Sequence, residues 1–314
     1  MKTGTRTPSW RSSISRPGTA RHWTVLTLLR TTTRFLEERG ASEPRLSAEH
    51  LLGHVLGMGR LQLYLDFDRP LEPDELDAYR RLVKRRLTGE PVAYIVGRVG
   101  FRDLELDVDR RVLVPRPETE LLVGHVLEWA RAEAARGARP GAGWRMVDVG
   151  TGSGAIACAL AVELEGVERV LGIDANPAAV ALARSNARRA GAEQTLWLAA
   201  DLFEALRPGT EVDAIVANPP YLADGERDSL APEVARWEPP DALFAGPTGE
   251  EAIRRLVEAA PGRLRPAGLL AFEVGLGQAE RARSLVQAVP GLRYVSTYRD
   301  HAGIERGILA VRER

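Results

Sequence analysis

Between residues 145 and 313 the sequence switches repeatedly between short apolar runs and amphipathic stretches, and this alternation leaves few folds open to it. RMVDVG (145–150), RVLGID (169–174), TLWLAAD (195–201), VDAIVAN (212–218) and GLLAFEVG (268–275) read as buried strands. Between them, AIACALAVEL (155–164), NPAAVALARSNARRAG (176–191) and EEAIRRLVEAAPGRL (250–264) carry helical spacing, and QAERARSLVQAV (278–289) follows the last of these strands. Strand–helix alternation implies an α/β fold, with a mostly parallel sheet and helices on both faces. The last two strands, LRYVSTYRD (292–300) and RGILAVRE (306–313), have no room for a helix between them. They are expected to form an antiparallel hairpin at one end of the sheet.

Upstream the pattern differs. VLTLLRTTTRFLEERG, SAEHLLGHVLG and EPDELDAYRRLVKRRLTGE read as helices, with Ser47 as the N-cap of the second and Pro73 opening the third. Residues 22–90 are therefore expected to be a small helical domain, near the size at which a core becomes marginal. Residues 91–114 are rich in β-branched and aromatic positions and are expected to be a β-hairpin linker. Residues 115–314 hold the α/β domain, opening on a helix that starts at Pro117. The first 36 residues contain no Asp or Glu and are rich in Arg, Ser and Thr, a composition that overlaps with organellar transit peptides. Without an amphipathic stripe, residues 1–21 read as a disordered basic tail, with a targeting segment as the alternative.

Lys plus Arg (43) equals Asp plus Glu (43), which argues against a protein that grips nucleic acid through a basic surface. RRLVKRRL (80–87) is expected to be a solvated helix face. The single cysteine, Cys158, excludes an internal disulfide and suits a reducing, cytoplasmic setting as a small core residue. No run of about 20 apolar residues suggests a membrane span. His50 and His54 lie four apart with no third ligand in view, so no metal is expected.

Two segments carry chemistry. DVGTGSGA (148–155) lies between the first parallel strand and its helix, where glycines permit a sharp turn and close approach to a ligand. Asp174 ends the next strand, about 20 residues on, placed to hold two ribose hydroxyls. Gly150, Gly152 and Ala155 also score as a variant of the dinucleotide fingerprint, which leaves a dinucleotide-dependent oxidoreductase as an alternative. A dinucleotide fold needs a second nucleotide-binding half, however, whereas one half followed by a closing hairpin suits an S-adenosyl ligand. Asp201 is placed to meet the adenine edge and Leu202 to pack on the ring. The second segment is NPPY (218–221), at the carboxyl end of a parallel strand, where two prolines cannot continue a ladder.

GTGSG, Asp174, ADLFEAL and NPPY, in this order, resemble a class I S-adenosylmethionine-dependent methyltransferase. Together with RLSAEHLLGHVLG, RLTGEPVAYIVG, VLVPRPETELLV and APEVARWEPPDAL, they resemble the HemK/PrmC protein-(glutamine-N5) methyltransferases over roughly residues 24–312. The resemblance implies a Rossmann-like seven-stranded sheet with a terminal antiparallel hairpin and a small N-terminal helical domain. It implies S-adenosyl-L-methionine as cofactor, with S-adenosyl-L-homocysteine as product. The implied partner is a class I peptide chain release factor, methylated on the glutamine of its Gly-Gly-Gln loop, with no membrane or stable nucleic-acid partner.

Carried onto this sequence, the cofactor residues are Gly150, Thr151, Gly152, Ser153, Gly154, Asp174, Asp201, Leu202 and Asn218. Asn218, Pro219 and Tyr221 are the implied catalytic residues, and Pro220, Phe101, Arg116 and Glu118 join them on the substrate side. Asn218 and the Pro219 carbonyl would accept the two N–H groups of a carboxamide, with Tyr221 covering its plane. Glu273, on the same rim, is expected to make a structural hydrogen bond. The stretch FAGPTGEEAI departs from the pattern, with Thr248 where aspartate is expected. Alternative targets are a ribosomal-protein glutamine and adenine N6 of a nucleic acid; NPPY by itself fits the latter as well.

Overall fold

The computed structural model describes residues 23–137 and 143–314. The tail at 1–21 and most of the RPGAG loop fall outside the described residues. Two compact units divide between Thr88 and Gly89.

The first unit is helical: α1 (Val25–Glu37), α2 (Pro44–Leu56), α3 (Arg60–Leu65) and α4 (Pro73–Arg86). Thr24 caps α1, accepting the Thr27 N–H, while the Thr27 hydroxyl accepts the Thr24 N–H at 2.9 Å. The second helix corrects the expected cap. It starts at Pro44, whose fixed φ suits a first helical turn, so Ser47 lies inside it and is buried. Ser47 instead accepts a hydrogen bond from Arg86, which also donates to Ser42. Arg86 is 4% exposed, so the arginine-rich stretch is not a uniformly solvated face. Buried Glu49 takes Arg45, Arg60 and the Tyr64 hydroxyl, and so ties α3 to α2. Leu28, Leu36, Leu51, Leu52 and Tyr79 are buried in this unit.

In the second unit, α5 (Val92–Val96) precedes a hairpin of β1 (Arg98–Phe101) and β2 (Leu104–Asp107). The VAYIV run forms a helical turn rather than a strand, because Pro91 precedes it and Gly97, at φ +81°, ends it in the left-handed region. The hairpin is not a linker: Phe101 and Leu106 are buried in one core with Leu122, Val126, Ile156 and Leu160. Next come α6 (Pro117–Ala135), β3 (Trp144–Val149), α7 (Ala155–Glu163), β4 (Val167–Asp174), α8 (Pro177–Ala190), β5 (Thr195–Ala199) and β6 (Val212–Ala217). The chain continues through β7 (Leu222–Ala223), α9 (Pro232–Trp237), β8 (Phe244–Gly246), α10 (Glu251–Ala259) and β9 (Leu264–Glu273). It closes with α11 (Ala279–Ala288), β10 (Leu292–Arg299) and β11 (Glu305–Arg312).

The main sheet has seven strands in the order β10-β11-β9-β6-β3-β4-β5. The five from β9 to β5 are parallel, and β11 is antiparallel to both β9 and β10. Every residue of β6 is buried, as a central strand covered on both faces requires. Helices α6, α7 and α8 contribute to the core on one face, with Cys158 buried in it, and α10 and α11 to the core on the other. The chain leaves β3 towards β4 and returns through β6, so strand order reverses between β3 and β6. A crevice opens beyond the carboxyl ends of strands at such a reversal, which is where ligands bind in open α/β sheets.

Candidate active site

That crevice is a cleft of about 610 Å³, within the roughly 300–1,000 Å³ typical of small-molecule sites. Its walls come from chain ends that the sheet brings together: residues 149–153 after β3, Asp174 at the end of β4, Asp201 and Leu202 after β5, and Asn218, Pro219 and Pro220 after β6.

The glycine loop is built to be approached. Gly150 (φ +71°) and Gly152 (φ +53°) are left-handed, and a Cβ on either would meet nothing nearer than 3.9 Å. Behind the loop Asp148 is fully buried. One carboxyl oxygen accepts from the Thr151 hydroxyl at 2.5 Å and from the Ala157 N–H at 3.1 Å, which ties loop to helix. Burial pushes the Asp148 carboxyl up to about 7, and those two donors pull against it. Asp174 accepts the Gly152 N–H at 2.9 Å and the Asn176 N–H at 2.8 Å. Burial raises its pKa while the two N–H groups lower it. Each carboxylate oxygen keeps a further lone pair for a ligand hydroxyl. Open glycine backbone, an acid across from it and the flanking apolar Leu202 and Ile173 fit an adenosine-bearing ligand. Asp201 also pairs with Arg255 at 2.8 Å on the cleft wall. Leu202 has φ +45°, an uncommon conformation for a non-glycine residue, where the chain turns away from β5.

At the other end of the cleft, the Asn218 side-chain nitrogen donates to the Thr119 hydroxyl at 3.1 Å. No hydrogen bond from the described residues takes the Pro219 carbonyl. The exit from this corner is held by Gln278, which donates to the Tyr221 carbonyl at 2.7 Å and accepts the Gly275 N–H at 2.9 Å. Gly249, in the divergent 244–253 loop, packs here too, since a Cβ on it would lie 2.7 Å from the Tyr221 carbonyl oxygen. Thr248 bonds Glu251 through both its N–H and its hydroxyl, each at 2.9 Å, just before α10.

The other expected substrate residues fall elsewhere. Phe101 is 1% exposed and does not line the cleft, because the hairpin turns its ring into the core. The Tyr221 ring packs towards Gly275 and the second core rather than into the cleft. Arg116 pairs with buried Glu238 at 2.6 Å, and Glu118 pairs with Arg306 at 3.3 Å, so both charges engage partners of this chain. Thr119, Pro239, Asp241, Ala242 and Arg255 also line the cleft, although none of them is among the expected site residues. Thr119 sits inside VLVPRPETELLV, but an uncharged hydroxyl in a helix's first turn carries no signal of its own. Its partner is 99 positions away.

Residues 27–97 match the PrmC N-terminal domain and residues 137–235 the Methyltransferase small domain. The chain is 43% identical over 290 residues to the release factor glutamine methyltransferase of Chlorobaculum tepidum, covering 91% of this chain and 96% of that protein. The chain belongs to the release factor glutamine methyltransferase family. The Geobacter sulfurreducens member is 41% identical over 284 residues, covering 90% of this chain and 95% of that protein. The Bordetella pertussis member is 44% identical over 263 residues, covering 84% and 93%. As a member of this family the chain is a methyltransferase, and its sheet ends in a hairpin instead of a second nucleotide-binding half. Among the described residues no helix is long and apolar enough to cross a membrane.

Proposed function

We propose that this enzyme transfers a methyl group from S-adenosylmethionine to the side-chain nitrogen of the glutamine in the Gly-Gly-Gln loop of class I peptide chain release factors. The observation that carries this reading is the corner at Asn218. Its amide nitrogen donates to Thr119, which leaves its oxygen free to accept, and both Asn218 and Pro219 line the cleft.

A carboxamide nitrogen is a poor nucleophile, because its lone pair is delocalised into the carbonyl. Two acceptors that take both of its N–H groups hold it in place and favour a more pyramidal nitrogen. Each hydrogen bond adds only about 0.5–1.5 kcal/mol net. The larger gain is alignment, worth up to roughly 7–11 kcal/mol of barrier. The two prolines keep the corner rigid, so little ordering remains when substrate arrives. When bound, S-adenosylmethionine supplies a methyl group activated on a positively charged sulfur. The 150–154 loop, Asp174, Asp201 and Leu202 would hold it. The glutamine nitrogen gains the methyl and gives one proton to water, so the corner needs no basic side chain. A glutamate in place of the glutamine would set its lone pairs against the same acceptors and be rejected.

Asp174→Ala is expected to weaken S-adenosylhomocysteine binding about 10- to 100-fold, the range for hydrogen bonds to a charged group. Isothermal titration calorimetry measures it. A change within twofold would mean that Asp174 only braces the glycine loop. Mass spectrometry of a purified release factor incubated with enzyme and S-adenosylmethionine tests the substrate. One added methyl on the loop glutamine is expected; methylation of another residue type, or of nucleic acid only, rejects the reading.

A further inference from the structure

Asn218 can do the proposed work only if its oxygen, not its nitrogen, faces the cleft. The two ends of an amide are nearly the same shape, so the surrounding hydrogen bonds must decide between them. β6 and β9 are parallel neighbours with Ala217 opposite Phe272, which sets the next residues, Asn218 and Glu273, side by side at the strand ends. Thr119, 4% exposed in the first turn of α6, accepts from the Asn218 nitrogen. Glu273 is also 4% exposed, and its buried Oε1 has no hydrogen-bond partner, while the Thr119 hydroxyl that accepts from Asn218 has no acceptor for its own proton among the described residues.

We propose that Glu273 and Thr119 are positioning residues: the Glu273 carboxylate takes the Thr119 proton, and the Thr119 oxygen then accepts from Asn218 and turns the amide oxygen to the cleft. The inference rests on the substrate reading above for its consequence in turnover, but not for the hydrogen-bond relay itself. A hydroxyl has one proton. While Glu273 is ionised it can only accept, so that proton is committed to it and the Thr119 oxygen can serve Asn218 only as an acceptor. Once Glu273 is protonated it can donate to Thr119 instead. The hydroxyl proton is then free for an amide oxygen, and the flipped Asn218 becomes equally well bonded.

Burial pushes the Glu273 carboxyl up to about 7, so the relay changes state near neutrality. The groups facing it are Glu118, Arg116 and Arg306, with Tyr221 and Tyr298, whose hydroxyls burial pushes up and away from this range. The His125 ring lies 4.8 Å from that of Tyr298.

The chain has three asparagines, Asn176, Asn186 and Asn218, so selective 15N-asparagine labelling gives three side-chain amide pairs. Asn218→Ala assigns the relevant one. In the ligand-free enzyme the Asn218 side-chain resonances are expected to titrate with a midpoint near 7 and to become independent of pH in Glu273→Gln. Under saturating substrates, kcat for glutamine methylation is expected to fall as pH drops through that midpoint, and Glu273→Gln to lose this acid limb. Thr119→Val is expected to lower kcat about tenfold or more with the S-adenosylmethionine KM unchanged, and Thr119→Ser to restore it. Asn218 resonances that ignore pH in the wild type, or that titrate unchanged in Glu273→Gln, overturn the proposal. The resonance test holds whether or not glutamine proves to be the substrate. A wild type that methylates glutamine while Thr119→Val matches it in kcat defeats the relay alone.

Discussion

Asn218→Ala is expected to lower kcat for glutamine methylation by about 100- to 1,000-fold, the cost of removing one preorganised hydrogen-bonding group from a reaction centre. The variant loses one of the two acceptors at the corner, while the Pro219 carbonyl remains. With one N–H released, the carboxamide can rotate about the other, and its lone pair leaves the line of transfer. The fold should barely register the change. Asn218 is only half-buried, and its hydrogen bond to Thr119 contributes about 1 kcal/mol. Unfolding temperature and S-adenosylhomocysteine affinity should therefore stay close to wild type while turnover collapses. Single-turnover methylation followed by mass spectrometry separates the two effects. A kcat within a few-fold of wild type would remove the corner from the mechanism.

The second large effect is on folding. Gly154 has φ +81°, and a Cβ there would lie 2.9 Å from the Trp197 ring and 3.0 Å from the Ala183 Cβ. The left-handed backbone costs an alanine about 1–2 kcal/mol, and forcing a methyl against packed groups costs about 1–3 kcal/mol more. Gly154→Ala should therefore lower the unfolding temperature by several degrees, roughly 2–4 °C per kcal/mol in a chain of this order of size. Gly150→Ala is the contrast. Its φ is +71°, but the nearest atom to its Cβ is 3.9 Å away, so only the backbone cost applies. Its methyl sits at the cleft, so its main effect should be weaker S-adenosylhomocysteine binding. Calorimetric melting of both variants, with ligand titration, distinguishes crowding from ligand exclusion. Equal melting temperatures would show that the space around Gly154 relaxes at no cost.

Much of the α/β unit was readable because its signals are local. Strands covered on both faces must be apolar throughout, and VDAIVA is buried at every position. A glycine loop between a strand and a helix needs no distant information either, and GTGSG and NPPY both line or border the cleft where their strands end. The errors arose where local preference was overruled. VAYIV has strand-forming residues but sits between Pro91 and a left-handed Gly97, which close it into a helical turn. Ser47 is a good cap by type, but Pro44 starts the helix one turn earlier. Phe101 carried a family association with substrate, and the hairpin instead turned it into the core.

The sequence by itself determined the kind of sheet, the order of its elements and the two loops that border the cleft. Each of these depends on residues within a few positions of one another. Only the tertiary structure decided what stands behind those loops. Asn218 meets Thr119 across 99 positions, Arg116 meets Glu238 across 122, and Glu273 comes beside Asn218 through strand pairing. Such contacts follow from register and helix placement, which are set by the packing of the whole unit, and neither partner's neighbours in the chain carry a trace of them.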